Sequence, residues 1–142
     1  YVLTGGQDRL AVLWDSVTGE RLREFRGHTN AVTAVAFGPD GGRLFTCSLD
    51  STIRAWDTVT TREVARIINL DDHDQWLVVT PEGYYDGSPG GCKSLAWRVG
   101  DMVFPVTRYE KKYHRPDLVT RALEGTSEGI PDSSAPLQPR NK

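Results

Sequence analysis

The sequence predicts a mainly β protein built from repeated units of short antiparallel strands. The 142 residues include 14 glycines and 8 prolines, which favours many tight turns over long helices. Short runs rich in Val, Thr, Ile and Phe alternate with turn signals such as "GPDGG" at residues 38–42. A block of residues also recurs at a fixed spacing, which indicates a repeat architecture.

The repeat is found when residues 4–25 are aligned with residues 46–67. The matched positions lie 42 residues apart and are Thr4 with Thr46, Asp8 with Asp50, Trp14 with Trp56, and Asp15 with Asp57. Self-similarity at one fixed shift indicates stacked copies of one supersecondary unit. The sequence therefore predicts a partial first unit at residues 1–26 and a complete second unit at residues 27–70.

Four strands are predicted in the second unit, at residues 31–37, 43–47, 52–56 and 63–69. Each consists largely of strand-forming residues and is bounded by turn residues. Between the first two strands, Pro39 presets φ and the following glycines tolerate positive φ. Four antiparallel strands in a unit of this size form one blade of a β-propeller.

Gly27-His28 and Trp56-Asp57 then give the second unit a "GH…WD" signature, which resembles the WD-repeat β-propeller family. The resemblance covers residues 1–70, although the "GH" of the first unit would lie before residue 1. It implies a partial propeller of about one and a half blades, whereas closed propellers have about 4–8. We therefore expect the C-terminal part of a larger protein, whose remaining blades would be partners of this chain.

The family resemblance implies a buried structural tetrad of hydrogen-bonded side chains. Carried over by position, it consists of His28, Thr46, Asp50 and Trp56. Because a buried carboxylate needs a partner, His28 would pair with Asp50, and the Trp56 N–H would also need an acceptor. The first unit would hold a partial tetrad made of Thr4, Asp8 and Trp14.

The resemblance also places an interaction surface on the loops at the tetrad end of the blades. The expected surface, called the rim below, consists of Gln7, Thr29, Asn30, Leu49 and Ser51. Leu49 is the most suggestive position because an apolar residue at the tip of a turn can anchor a partner. The alternative is that Leu49 only covers the neighbouring blade.

Catalytic interpretations of these residues are weaker. A His28–Asp50 dyad with Cys47 as nucleophile is disfavoured because the counterpart of Cys47 in the first unit is Gly5. Cys92 with His114 could be a reactive pair, but no orienting residue is evident. Two cysteines do not form a disulfide framework, which favours a reducing, cytoplasmic setting.

The period fails after residue 70, and residues 71–123 are predicted to form a β-rich accessory module. Strands are expected at residues 76–80, from Tyr84, at 94–99 and at 102–106, followed by helices at 107–114 and 115–123. "DDHD" at residues 71–74 suggests a metal site, but without a ligand spacing it is better explained as a solvated linker. Residues 124–142 are rich in Gly, Ser and Pro, which predicts a flexible tail or linker.

The pattern "VVTPEGYYDGS…RPDLV" within residues 74–123 resembles a module that follows the last repeat in bacterial WD-repeat proteins. In several of those proteins the same polypeptide carries a caspase-like cysteine peptidase domain. The resemblance implies a bacterial multidomain protein. It does not make this segment a peptidase, because a "QAC-x-G" signature is absent from it.

Three functions follow from these observations. The first is a non-catalytic protein–protein interaction scaffold that needs no cofactor or metal. The second is a regulatory or sensor segment of a protein with a caspase-like peptidase elsewhere on the chain, and the third is a small hydrolase using Cys92 and His114. A net charge of −2 argues against a nucleic-acid partner, and no apolar run is long enough to span a membrane.

Overall fold

Short antiparallel strands dominate the computed structural model, which describes residues 1–70 and 74–125. The first seven strands are β1 (Val2–Gly5), β2 (Leu10–Trp14), β3 (Arg21–Arg26), β4 (Val32–Phe37), β5 (Arg43–Ser48), β6 (Thr52–Asp57) and β7 (Glu63–Leu70). The later strands are β8 (Gln75–Val79), β9 (Tyr85–Gly87), β10 (Ala96–Val99) and β11 (Met102–Pro105). The mainly β prediction is confirmed, and every pair of adjacent strands is antiparallel.

The two repeated units share their backbone details as well as their residues. The β2–β3 register shifts between Leu13 and Trp14, and the β6–β7 register shifts between Ala55 and Trp56, one repeat later. A bulge at the same place in both units adds twist where the strand meets its turn. The equivalence found in the sequence therefore extends to the strand pairing.

The main core lies between the two repeated sheets. Side chains on one face of β5 and β6, including Leu44 and Trp56, pack against Ala11, Leu13 and Phe25 from β2 and β3. Trp56 is 2% exposed, and its ring meets the Phe25 ring edge-on at a centroid distance of 6.0 Å. Burial of such aromatic surface is the main force that holds the first unit on the second.

The second half of the chain extends the second unit. β8 pairs with β7 and β9 pairs with β8, giving a six-stranded sheet in the order β4-β5-β6-β7-β8-β9. β10 and β11 form a separate hairpin. The hairpin expected around Pro81–Gly83 is thus present, and its first strand covers the edge that β7 would otherwise expose.

Between residue 88 and residue 125, three short helices follow β9: α1 (Pro89–Lys93), α2 (Glu110–Tyr113) and α3 (Pro116–Glu124). The sequence analysis missed α1, although Ser88 is an N-cap whose side chain accepts a hydrogen bond from the Gly91 amide and Pro89 follows it. Because α1 ends near Ser94, the next strand begins at Ala96 rather than at residue 94. The helix expected at residues 107–114 is divided into a 3₁₀ turn at Val106–Arg108 and α2.

Two sequence-based predictions concern residues outside those the structure describes. They are the linker interpretation of "DDHD", of which Asp71, Asp72 and His73 are not described, and the tail from residue 126 onwards. The division at residues 70 and 71 falls at the connection between β7 and β8, whose strands belong to one sheet.

Candidate functional site

The structure brings His28, Thr46, Asp50 and Trp56 together in one hydrogen-bonded chain. The His28 Nδ1 atom lies 2.8 Å from Asp50 Oδ2, and His28 Nε2 lies 2.7 Å from Thr46 Oγ1. The Trp56 indole Nε1 donates to the same Thr46 hydroxyl at 2.9 Å. β5 supplies Thr46, β6 supplies Trp56, and the other two residues lie in the loops before β4 and before β6.

Donor and acceptor chemistry gives this chain one direction. The carboxylate of Asp50 only accepts, so Nδ1 of His28 carries the proton and donates to it. With the proton of a neutral imidazole on Nδ1, Nε2 is the acceptor for the Thr46 hydroxyl, whose oxygen accepts from Trp56. Every polar atom in the chain is thereby satisfied while the His28 and Thr46 residues are 7% and 0% exposed.

The Asp50 carboxylate is the most heavily hydrogen-bonded member of the group. Its Oδ1 accepts from the Thr52 hydroxyl at 2.6 Å and from the Thr52 amide at 3.1 Å. Its Oδ2 accepts from the Thr29 amide at 3.0 Å as well as from His28. Burial raises the pKa of Asp50, but the bonds from Thr52, Thr29 and His28 outweigh it and hold the pKa well below its ordinary value.

A glycine is required at position 27, where the loop that carries His28 passes close to the Arg54 and Trp56 side chains of β6. A Cβ atom on Gly27 would collide with the Arg54 guanidinium and would lie 3.0 Å from the Trp56 ring. Arg54 is itself held by Glu63 at 2.8 Å. The "GH" pair thus has two roles, because the glycine lets the backbone approach Trp56 and the histidine then reaches Thr46.

The first unit holds part of this arrangement. Trp14 Nε1 donates to Thr4 Oγ1 at 2.8 Å, as Trp56 does to Thr46. Asp8 is exposed and accepts from the Leu10 amide at 3.2 Å. The described chain supplies no histidine to join Asp8 to Thr4, because the corresponding position would precede residue 1.

The rim residues lie at the tetrad end of the two sheets. Thr29, Asn30 and Ser51 are exposed, and Leu49 is 64% exposed at the turn between β5 and β6. The Leu49 amide donates to the Ala31 carbonyl at 3.0 Å, which places this turn beside the Asn30 loop. The exposed Gln7 belongs to the β1–β2 turn, where the Gly6 carbonyl accepts from the Val32 amide at 3.0 Å.

The geometry disfavours a hydrolase built on Cys92 and His114. The Cys92 thiol is directed to the Gly87 carbonyl at 3.5 Å, whereas His114 stacks on Tyr85 and lies 3.5 Å from Asp86. Burial, together with the charges of Asp86 and Glu110, raises the pKa of the Cys92 thiol. A raised pKa reduces the thiolate population, and the thiolate is the nucleophile.

Aromatic residues of the second half form a small core of their own. Tyr85 is 2% exposed and lies 6.3 Å from the Trp97 ring, and Trp97 lies 4.5 Å from the Tyr113 ring. Tyr84 also meets Tyr113, at 6.1 Å. Packing, rather than ligand binding, is thus the role that the contacts give these rings.

Sequence reasoning missed one contact that joins the two halves of the chain. Arg43 donates through Nη1 to Asp57 Oδ2 at 2.7 Å and through Nε to the Ala122 carbonyl at 2.9 Å. Asp57 is the aspartate of the "WD" pair, and Ala122 lies in the last turn of α3. The one available signal was that Arg43 stands where the 42-residue shift places Tyr1 in the first unit.

Among residues 1–70 and 74–125, no group of three His, Cys, Asp or Glu side chains is arranged to hold a metal ion. No helix in the same part of the chain is long and apolar enough to cross a bilayer.

Comparison with known proteins adds the family context. Residues 19–57 match the family model described as "WD domain, G-beta repeat". The chain is 41% identical to WD repeat-containing protein 41 of Mus musculus over 71 residues, which is 45% of this chain and 15% of that protein. It is 30% identical to Nuclear distribution protein PAC1 of Arthroderma otae over 129 residues, which is 89% of this chain and 26% of that protein.

This chain therefore spans about a quarter or less of the curated relatives that it matches. These relatives come from a mammal and a fungus, and they do not support the bacterial origin that residues 74–123 implied. A crystal structure of the RRP9 WD40 repeats aligns with 61% of this chain and 32% of its own, at 20% identity and a TM-score of 0.48. The described chain is mainly β, matches the WD-repeat family model at residues 19–57 and is similar to WD-repeat proteins.

Proposed function

We propose that this chain is a non-catalytic scaffold that binds a protein partner through the rim. The observation that supports the proposal is a difference in burial between the tetrad residues and the rim residues at the same end of the sheets. The polar side chains that could do chemistry are buried and bonded to one another, whereas the rim residues beside them are exposed. The exposed Leu49 side chain at the tip of a turn can bury apolar surface against a partner, with the polar rim residues around it.

The same proposal covers the larger protein, the cellular compartment and the class of partner. The chain is the C-terminal part of a larger propeller whose other blades pack against the first unit, because one face of the first unit still presents the partly exposed Trp14. The thiols of Cys47 and Cys92 suit a reducing, cytoplasmic setting. A net charge of −2 gives a nucleic acid no electrostatic attraction, so the partner we propose is a protein.

A sharp test compares two exposed apolar side chains. One is Leu49, in the rim of the second unit, and the other is Val17, in the first unit at the end away from the rim. Leu49→Asp places a charge in the rim, and Val17→Asp places one in the β2–β3 turn, where Val17 is 92% exposed. Proteins that are recovered with the unaltered chain, called the parent below, are identified and purified. Each is then titrated against the parent and against each variant by calorimetry. The proposal expects Leu49→Asp to weaken binding at least tenfold and Val17→Asp to leave it unchanged.

Equal binding by the parent and the Leu49→Asp chain would contradict the rim as the binding surface. Both changes lie on exposed turns, so both variants should keep the parent's free energy of unfolding within about 0.5 kcal/mol. The alternative, a regulatory segment of a peptidase-bearing protein, predicts instead that the recovered partner is a peptidase domain of the same polypeptide.

A further inference from the structure

The second half of the chain builds a pocket at the outer edge of the six-stranded sheet. β8 and β9 lie outside β7, the fourth strand of the second unit. Trp97 of the β10–β11 hairpin packs with Leu77 of β8 and Tyr85 of β9. Between these elements lies a pocket of about 330 Å³ that is partly open to solvent. The residues that line it are Val79, Gly83, Tyr85, Leu95, Ala96 and Trp97.

The blade that adjoins this side of the sheet is part of the described chain. Arg54 of β6 pairs with Arg66 of β7, and Arg66 pairs with Val79 of β8, so the three side chains share one face. Trp56 follows Arg54 by two residues and lies on that face, where it packs against the first unit. The pocket is therefore on the side that the first unit covers, and no described residue of the first unit lines it.

The wall of the pocket contains a hydrogen-bond donor that is not paired. Trp97 Nε1 is buried and has no hydrogen-bond partner within residues 1–70 and 74–125. The Trp97 ring packs against Tyr85 and Tyr113, but ring contacts do not satisfy its N–H. An indole N–H is a donor only, and burying it unpaired is costly. Trp56 shows the ordinary arrangement, because its N–H donates to Thr46 at 2.9 Å.

The hairpin that carries Trp97 is free of the main sheet. β10 pairs with β11, and the two form a sheet separate from the six-stranded one. Side-chain contacts hold the hairpin, among them those of Trp97 and Phe104 with the Tyr109 ring. Segments without ladder bonds to the core open at low cost. A small shift of the hairpin would thus present Trp97 Nε1 to a ligand in the pocket without breaking a strand ladder.

The face of the hairpin that bears Trp97 continues as an exposed apolar surface. Val99 pairs with Met102 at the tip, two positions beyond the pair of Trp97 and Phe104, so all four side chains share one face. Val99 is 54% exposed and Met102 is 62% exposed. An extended protein segment that leaves the pocket along β10 would cover both side chains. A small molecule would fill the pocket and leave them bare, so the surface favours the protein segment.

The charges around the pocket favour a neutral acceptor. Burial, followed by the negative charge of Glu110, raises the pKa of Tyr85 in the pocket wall. A carboxylate in the pocket would lose its hydration and be repelled by the same charge. A peptide carbonyl accepts a hydrogen bond without carrying a charge.

We propose that this pocket binds one apolar residue of an extended protein segment, whose backbone carbonyl accepts a hydrogen bond from Trp97 Nε1. The segment then continues across Val99 and Met102. The site lies at the outer edge of the sheet and shares no residue with the rim, so this proposal and the proposed function stand or fall separately.

The test titrates the full chain with small probes. The first probe is N-acetyl-leucine methylamide, called capped leucine here, which carries an apolar side chain and neutral carbonyls. The indole N–H signals of the 4 tryptophans are followed by NMR in the isotope-labelled chain, and loss of one signal in Trp97→Phe identifies Trp97. The Trp97 signal should shift to saturation, whereas the Trp56 signal should not move. Capped glycine, and N-acetyl-leucine with its free carboxylate, should each bind at least about tenfold more weakly.

Matched variants locate the site, with binding followed at the Gly83 amide. Trp97→Phe keeps an aromatic ring without the donor, and Ala96→Leu fills the pocket, so each should weaken capped leucine binding at least about fivefold. Val103→Ala, on the opposite face of the hairpin, should leave binding unchanged. A capped tetrapeptide of alternating leucine and threonine should bind at least about tenfold more tightly than capped leucine, and Met102→Asp should remove that gain.

Three results would overturn the proposal. The first is the absence of any saturable shift of the Trp97 signal with either the single residue or the tetrapeptide. The second is equal binding of capped leucine by the parent and by Ala96→Leu, a variant that leaves the packing of Trp97 intact. The third is a tetrapeptide that binds no more tightly than capped leucine, because the pocket would then take a small molecule instead of a protein segment.

Discussion

The first and second units follow the same sequence pattern, and among the described residues the full hydrogen-bond network belongs to the second unit. Trp14 and Trp56 each donate to a threonine hydroxyl, at 2.8 Å and 2.9 Å. In the second unit that hydroxyl also meets His28, which continues to Asp50. The comparison teaches that the strand-level pattern suffices for the sheet and the Trp–Thr bond in both units, and that His28 of the preceding loop joins the aspartate to that bond in the second unit.

The largest expected contrast is between the two tryptophans. Trp56→Ala should cost about 3–5 kcal/mol of unfolding free energy, because it empties the core between the units and leaves the Thr46 hydroxyl without its donor. Trp14→Ala should cost distinctly less, since Trp14 is only partly buried. Urea unfolding of both variants and the parent measures the difference, and equal costs would remove the distinction between the units.

The aspartates give the next contrast. Asp50→Ala should cost about 1–3 kcal/mol, because it leaves a buried histidine nitrogen and the Thr52 hydroxyl without their acceptor. Asp8→Ala should stay within about 0.5 kcal/mol, because Asp8 is exposed and accepts a hydrogen bond from the Leu10 amide at a turn. Thermal melting of the matched pair checks this, and a larger loss for Asp8→Ala would argue against the tetrad.

Acid should weaken the second unit through the same carboxylate. The pKa of Asp50 is lower in the folded chain than its unfolded value of about 4, so the folded state binds fewer protons there. The stability this gives is fully present above about pH 5 and is lost as pH falls below 4. The unfolding free energy of the parent should therefore fall more steeply between pH 5 and 2 than that of Asp50→Asn.

An identical pH slope in Asp50→Asn would show that this carboxylate is not a source of the acid sensitivity. Some slope should persist in the variant, because hydrogen bonds also lower the pKa of Asp57 and Asp15 in the two "WD" turns.

The smallest expected effect concerns the turns after "WD". Gly19 has φ of +73° and its counterpart Thr61 has φ of +62°, a conformation that costs a β-branched residue about 1–2 kcal/mol. Thr61→Gly should raise the unfolding free energy by less than about 1 kcal/mol, since the unfolded chain also gains freedom. Gly19→Ala should lower it, and calorimetric melting of both variants compares the two turns.

The sequence was sufficient for the features that repeat. The strands of the second unit and the tetrad residues follow from alternation, turn residues and the 42-residue shift. These signals are local or periodic, so they are visible without a structure. The mainly β architecture required nothing more.

The features that the sequence did not reveal are contacts between distant segments. Arg43 meets Ala122 across 79 positions, and neither residue carries a motif that predicts the other. The pairing of β8 with β7 was also not predictable from the sequence. An edge strand can pair with any strand whose backbone reaches it, so no residue type marks the partner. Helix α1 was missed because Gly90 and Gly91 disfavour a helix by propensity, and the Ser88 cap overrides that preference.

The account depends most on the claim that His28 and Asp50 act as one structural pair, and a double-mutant cycle tests it directly. Unfolding free energies are measured for the parent, His28→Ala, Asp50→Ala and the double variant. Since the two side chains are buried and 2.8 Å apart, the double variant should be more stable than the sum of the single losses implies, by about 1 kcal/mol or more. Additive losses, within about 0.3 kcal/mol, would contradict the tetrad and the scaffold function proposed from it.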